Sequence, residues 1–187
     1  MDEYPQSPLQ PKSNRGQLVH LCNLAILAAM FVFAFVTYNS LPERIPVHFN
    51  FAGNADRWTD KSLIAWLAMP LTALGLTAVL YASSLLVAWT KKHPKLLSMP
   101  NKEKFLALPA EIQDPIWQQM KTMLYWMCVP TNIILLYTEY ALYSMAIGNS
   151  QTFNSMPLLA LIGATTIVIF FLVFNLIRSV KRAIKGS

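Results

Sequence analysis

The sequence predicts an all-α membrane protein with four transmembrane helices, cytoplasmic N and C termini, and a short structured external loop between helices 1 and 2. Three observations lead to this fold class: the composition, the spacing of the apolar stretches and the placement of the basic residues. Of the 187 residues, 55% are hydrophobic and only 13% are charged, and the mean hydropathy is +0.39. This composition suits a lipid environment better than a water-soluble core.

Four apolar stretches are each long enough to cross the ~30 Å hydrocarbon layer of a bilayer. They cover residues 18–38, 63–90, 123–147 and 156–177. A helix of a soluble protein would carry one apolar stripe and one charged face, whereas these stretches are apolar on all sides. The first is expected to be a retained anchor, because no A-x-A-like signal cleavage site follows it.

The basic residues predict the orientation, because Lys and Arg near helix ends resist translocation. All but three of the 15 lie before helix 1, between helices 2 and 3, or after helix 4; the exceptions are Arg44, Arg57 and Lys61. The side with more basic residues is predicted to face the cytoplasm. The protein is therefore expected in the cell membrane, with the lipid bilayer as its first partner. No nucleic-acid partner is expected, because the basic residues flank helices and form no patch with interleaved aromatics.

The predicted organisation has five segments. They are a disordered cytoplasmic tail (1–16), a helical hairpin (17–95) with its external loop (39–62), a cytoplasmic connector (96–121), a second helical hairpin (122–178) and a basic cytoplasmic tail (179–187). Pro70 is expected to start or kink helix 2. In the connector, Asp114 and Pro115 suit the N-cap and first turn of a short amphipathic helix, although a solvated connector fits equally well.

Small residues on helix 2 are spaced along one face, which predicts the side where another helix packs closely. They are Ala68, Thr72, Gly75, Val79 and Ala82.

The external loop is predicted to form a hairpin-like flap. Pro42 and Pro46 favour extended backbone before them, residues 47–51 alternate between apolar and polar, and residues 52–55 have the composition of a turn. The apolar members of 47–51 would face the membrane or the helix ends, and His48 and Asn50 would face away. Thr59 or Asp60 is expected to cap helix 2.

This loop also carries a spaced motif of prolines, a histidine and a glycine. It resembles the membrane domain of unknown function at the N-terminus of SdpI-like toxin-immunity proteins, whose signature is approximately L-P-x-x-I-P-x-H-x-x-x-x-G. The resemblance covers about residues 20–70 and implies a bacterial or archaeal membrane protein that binds a peptide toxin or a partner protein at its external face. It implies no reaction, cofactor or catalytic residue. The matching positions are Leu41, Pro42, Ile45, Pro46, His48 and Gly53, with Asn50 and Asp56 in keeping.

Two interpretations of His48 stay open. It could bind a metal or act as a proton-linked switch with Asp56 and Asp60, or its imidazole could hold the flap by bonding to loop backbone. One histidine with two loosely spaced carboxylates is a poor ligand set, so no metal is predicted.

Glu139 lies inside helix 3, where an ionisable residue is costly and is a candidate for function. Its carboxyl could be protonated and bonded to a tyrosine, paired with Arg44 or Arg57 of the loop, or part of a substrate or proton path; we favour the pairing. His20 and Asn23 of helix 1 and Asn175 of helix 4 could form another polar contact, although we favour solvation at the membrane interface. Glu139 belongs to a polar stripe on one face of the helix, comprising Tyr125, Asn132, Glu139 and Tyr143, with Cys128 and Leu136 between them.

The leading functional hypothesis is a non-enzymatic membrane protein whose external loop receives a ligand or partner. No H-E-x-x-H, G-x-S-x-G or G-x-x-x-x-G-K motif occurs, so neither catalytic residues nor cofactors are predicted. The alternative is a small transporter or accessory subunit that uses Glu139. With four helices and no inverted repeat, a transporter would have to form a homo-oligomer to enclose a path.

Overall fold

The computed structural model describes residues 14–50 and 52–186, so nearly all of the predicted tail over 1–16 lies outside the described residues. The chain is mostly helical with one small sheet. Its elements are α1 (Asn14–Tyr38), β1 (Arg44–Phe49), β2 (Ala55–Asp60), α2 (Leu63–Trp66), α3 (Ala68–Lys92), a 3-10 turn (Pro94–Leu96), α4 (Lys102–Leu106), α5 (Ala110–Ala146) and α6 (Ser155–Lys185). The two strands pair antiparallel.

Three helices in the described part of the chain are long and apolar enough to cross a membrane. They are α1 from Gly16, α3 and α6. These helices confirm the prediction of a membrane protein. Although α5 is longer than any of them, polar residues such as Asn132 and Glu139 lower its hydropathy. The fourth crossing and the orientation therefore stay predictions.

The central helix of the bundle is α5, which packs against α1, α3 and α6. The helix α1 turns one narrow stripe toward it, with buried residues three or four positions apart, as the helical repeat requires. The other faces of α1 and α3 and most of α6 carry exposed apolar side chains, as expected of helices surrounded by lipid. The buried stripe of α1 comprises Val19, Asn23, Leu27, Met30, Ala34 and Thr37.

At one end of the bundle, here called the hairpin end, the sheet packs on the helix termini. Ile45 of β1, Trp66 of α2 and Leu142 of α5 form a cluster with Ala34 and Leu41. The indole N–H of Trp66 donates to the carbonyl of Ala34 at 2.9 Å, so the bulky ring is buried without an unpaired polar atom. This cluster fixes β1 against the helices.

At the opposite end, here called the basic end, α4 and the tips of α5 and α6 form a second cluster. Phe105, Trp117 and Val180 are each at most 5% exposed, and the rings of Phe105 and Trp117 meet edge to face at 5.7 Å. Lys91 pairs with Asp114 at 2.7 Å between exposed side chains. The long α5 and α6 thus extend past the last turn of α3 and pack together.

The structure corrects two local predictions about helix ends. The helix α5 begins at Ala110 and runs through Pro115, so Asp114 and Pro115 do not start it, and the later part of the predicted connector is helical. The cap of α2 is Ser62, whose hydroxyl accepts the N–H of Ala65 at 3.2 Å, and not Thr59 or Asp60. Pro70 lies in the first turn of α3, as predicted, where the missing N–H costs no helical bond.

The predicted packing face of α3 is also wrong. Ala68, Thr72, Gly75, Val79 and Ala82 are exposed. The buried residues of α3 are Pro70, Ala73, Thr77 and Ser84. The packed face of α3 is the one whose side-chain hydroxyls form hydrogen bonds with α5. These bonds outweigh the closer helix approach that small residues allow.

Candidate functional site

The first group of motif residues holds the hairpin on the helices. Leu41 and Ile45 are 5% and 1% exposed, and Pro46 is buried beside them. Pro42 is exposed. Val47, predicted to face the membrane or the helix ends, is 39% exposed and lies where the pairing register is irregular, between Pro46 and His48. Such a bulge changes the direction in which side chains point.

The second group, Asn50 and Gly53, forms the turn. The side-chain oxygen of Asn50 accepts the N–H groups of Ala52 and Asn54, each at 3.0 Å. Gly53 has φ of +81°, which favours glycine. Its carbonyl accepts the N–H of Phe153 at 2.6 Å, and a Cβ at this position would lie 2.5 Å from the Phe153 carbonyl oxygen.

The turn therefore docks on the segment that joins α5 to α6. The rings of Phe49 and Phe153 stack at 4.7 Å and strengthen the same contact. Sequence reasoning missed Phe153, because the uncharged segment around it carries no motif.

The third group is His48 with Asp56. The imidazole Nδ1 and a carboxylate oxygen lie 2.6 Å apart, with both side chains exposed. The hydrogen bond from His48 lowers the pKa of Asp56 below its usual 3.8. The prediction that this imidazole bonds loop backbone is wrong. Within residues 14–50 and 52–186, no group of three or more His, Cys, Asp or Glu side chains could hold a metal ion.

The second candidate site is the polar stripe of α5, which faces α1 and α3. Asn132, fully buried, donates to the hydroxyl of Thr77 at 3.0 Å and to the side-chain oxygen of Asn23 at 3.5 Å. The amide of Asn23 in turn donates to the carbonyl of Tyr125 at 3.0 Å. Asn23 is 2% exposed, so its predicted interfacial solvation is wrong.

The two ends of the stripe are also bonded. The hydroxyl of Tyr125 lies 2.8 Å from that of Ser84, and the hydroxyl of Tyr143 lies 3.1 Å from that of Ser40. Near Tyr125, the hydroxyl of Tyr81 bonds to the imidazole of His20 at 2.7 Å. These side chains connect three helices through polar contacts.

Glu139 differs from every other member of the stripe. It is 0% exposed, and neither carboxyl oxygen has a hydrogen-bond partner within residues 14–50 and 52–186. The predicted pairing with Arg44 or Arg57 is therefore wrong, and the tyrosine bond is absent as well. Glu139 is instead one of the residues that line a cavity of about 40 Å³, enough for a few water molecules. The other lining residues are Ile45, Pro46, Val47, Ala65, Trp66, Ala68, Met69 and Leu142.

Comparisons with known proteins give two matches. Residues 25–74, which contain most of α1, the hairpin and the start of α3, match a family model described as Domain of unknown function (DUF1648). An uncharacterized protein of the archaeon Archaeoglobus fulgidus is 21% identical over 169 residues, which cover 89% of this chain and 91% of that protein. No solved structure matches. The chain is a membrane protein that carries a domain of unknown function.

Proposed function

We propose that the protein is a non-enzymatic protein of the cell membrane that binds an extended peptide on its external hairpin, in the manner of SdpI-like immunity proteins. The observation that carries this proposal is the outer edge of β2. The sheet has two strands; β1 packs toward α5, and the burial pattern of β2 shows four exposed and two partly exposed residues. An unpaired strand edge is a ready template for another strand.

The proposed topology has four crossings with both termini inside and the hairpin outside. One contact and the placement of the basic residues support it. Phe153, between α5 and α6, bonds to the hairpin turn, so α5 arrives at the hairpin end and α6 leaves from it. Lys91 and Lys92 close α3, and Arg182 and Lys185 close α6, all at the basic end, as expected of a cytoplasmic side.

The ladder geometry identifies which N–H groups of β2 point outward. Lys61 donates its N–H to the carbonyl of Glu43 at 2.6 Å. Bonded and non-bonded pairs alternate in an antiparallel ladder. Counting inward from Glu43 and Lys61 makes Pro46 and Trp58 a non-bonded pair, which explains why proline is tolerated there. The N–H of Trp58 thus points to the outer edge.

An extended peptide fits this edge better than a folded globular partner. A peptide that adds as a strand gains its affinity from main-chain bonds and needs only a few side-chain contacts. Trp58 offers one such contact, since its ring is 43% exposed. The hairpin carries both signs of charge, with Arg44 and Arg57 against Asp56 and Asp60, so no strong net charge is demanded of the peptide.

The test is survival of a deletion strain challenged with culture supernatants of related strains. We expect the deletion to sensitise cells to at least one supernatant and the wild-type gene to restore resistance. Trp58→Pro removes the ring and the outward N–H, whereas Trp58→Ala removes the ring alone and is the matched control. Failure of W58P with rescue by W58A, at equal membrane levels on immunoblots, supports strand addition. Unchanged survival of the deletion strain across a broad panel would refute the proposal.

A second candidate function is a small transporter or an accessory subunit of one. The observation that favours it is the unpartnered carboxyl of Glu139 beside a cavity. Such a transporter would be a homo-oligomer, because three long helices packed around a central α5 leave no path within one subunit. Native mass spectrometry that finds a monomer in mild detergent and in nanodiscs would contradict this candidate.

A further inference from the structure

Glu139 is fully buried and lines a small cavity, and its carboxyl has no hydrogen-bond partner among the described residues. Glu139 bonds no neighbouring helix, in contrast to Asn132 two turns earlier on the same face. We propose that Glu139 is a proton-binding site whose proton exchanges with water at the hairpin end through the cavity beneath β1. This inference does not depend on peptide binding.

The chemistry of the cavity selects a proton over a metal or an organic cation. Among the described residues that line the cavity, only Glu139 has an ionisable side chain. Calcium and magnesium take six or more oxygen ligands, which one carboxyl and apolar walls cannot supply. A volume of about 40 Å³ admits a few waters and excludes a larger cation. Because an isolated buried carboxylate is very costly, the carboxyl holds a proton while the cavity is closed.

The position of the cavity gives the route for exchange. Its walls come from β1, α2, the start of α3 and α5, all at the hairpin end. Val47 is 39% exposed and Ala68 is also exposed, so a single layer of side chains separates the cavity from the surface there. Small movements of β1 are enough to admit water to Glu139.

Among the described residues, no other titratable side chain lines the cavity, and Lys61, near the same end, donates its ammonium group to the carbonyl of Leu41. The charged side chains of β1 nearest the cavity, Arg44 and His48, are exposed, and α2 and α3 carry none before Lys91. Tyr38 of α1 and Tyr143 of α5 lie at the same end, and neither bonds to Glu139. The sheet partner β2 contributes Asp56, Arg57 and Asp60, which are exposed as well.

Infrared spectroscopy of the full chain in proteoliposomes tests the inference. A protonated carboxyl has a C=O stretching band that is absent from a carboxylate, and replacement of its proton by deuterium shifts that band. We expect such a band at neutral pH that is missing in Glu139→Gln, shifts after transfer to D₂O, and is lost reversibly at alkaline pH. Glu103→Gln, a change at an exposed position, is the control that leaves the band unchanged.

Filling the cavity tests the route. Ala65→Leu places extra volume in the cavity wall, and we expect the D₂O shift to slow by about tenfold or more because water must then await a larger opening. Ala82→Leu, at an exposed position of α3 away from the cavity, is the matched control. Absence of the Glu139 band at neutral pH, or a band that never shifts in D₂O, would overturn the inference. Either result would leave the survival experiment with supernatants unaffected.

Discussion

Asn132 and Glu139 lie seven residues, or ~10 Å, apart on the same face of α5, and each is 0% exposed. Asn132 bonds to Thr77 of α3 and Asn23 of α1. Glu139 has no hydrogen-bond partner in the described part of the chain and lines a cavity. Two equally buried polar residues on one helix face therefore differ in role. A buried polar group with hydrogen-bond partners connects helices, whereas one without partners lowers stability and marks a candidate functional site.

The first prediction concerns Asn132, where the largest effect is expected. Asn132→Leu removes two bonds between helices and leaves the buried polar groups of Asn23 and Thr77 with fewer partners, which should cost about 2 kcal/mol. The free energy of unfolding in mixed micelles measures the change.

Thr131→Val is the matched control, because the hydroxyl of Thr131 bonds only to Met127 of its own helix. We expect that variant to stay within about 0.5 kcal/mol of the wild type. Equal losses from N132L and T131V would remove the distinction between the two kinds of polar residue.

The second prediction concerns the contact between the hairpin turn and the segment that joins α5 to α6. Gly53→Ala brings a Cβ against the Phe153 carbonyl at a positive φ, and should weaken hairpin docking by about 1–3 kcal/mol. Hydrogen exchange of β1 amides should quicken, while the amides around Asn132 keep their protection. Gly148→Ala is the control, since Gly148 also has a positive φ but nothing lies within 4 Å of the added Cβ. Equal exchange of β1 in both variants would show that backbone strain, and not the Phe153 contact, matters.

The third prediction separates Glu139 from Asn132 directly. Glu139→Met replaces an unbonded buried carboxyl by an apolar side chain of similar length, and should raise the free energy of unfolding by about 1 kcal/mol. The same unfolding assay measures it. A loss of stability as large as that of Asn132→Leu would mean that Glu139 has a bonding partner, and would contradict the comparison.

The smallest effect is expected at the exposed His48 and Asp56 pair. A carboxyl whose pKa is lower in the folded state contributes stability above its unfolded pKa and loses it as the pH falls through the folded value. Protection of the hairpin amides should therefore decline as the pH falls below 3.8, the usual pKa of Asp. Asp56→Asn should remove most of this decline, and Asp60→Asn, at another exposed position of β2, should keep it. An unchanged decline in D56N would assign it to other carboxyls.

The hairpin shows which structural features the local sequence could predict. Three features of the hairpin were predictable: its turn at Gly53, its extended strands and its membrane-embedded flanks. The effects of proline, of glycine and of alternating apolar and polar residues each extend over only a few residues. The register irregularity between Pro46 and His48 was not predictable, because it depends on the partner strand. The contact of Gly53 with Phe153 was hidden for a similar reason: it joins residues 100 positions apart in the chain.

By itself, the sequence determined that this is a membrane protein with an ordered loop and a polar stripe on one long helix, because span length, composition and helical periodicity are local properties of the chain. Only the tertiary structure decided that α5 is the central helix, that α3 turns Thr77 and Ser84 toward it, and that Glu139 is the one member of the predicted stripe without a partner. Whether a buried polar group finds a hydrogen-bond partner depends on which groups of the other helices lie at the same depth, and the sequence of one helix does not contain that information.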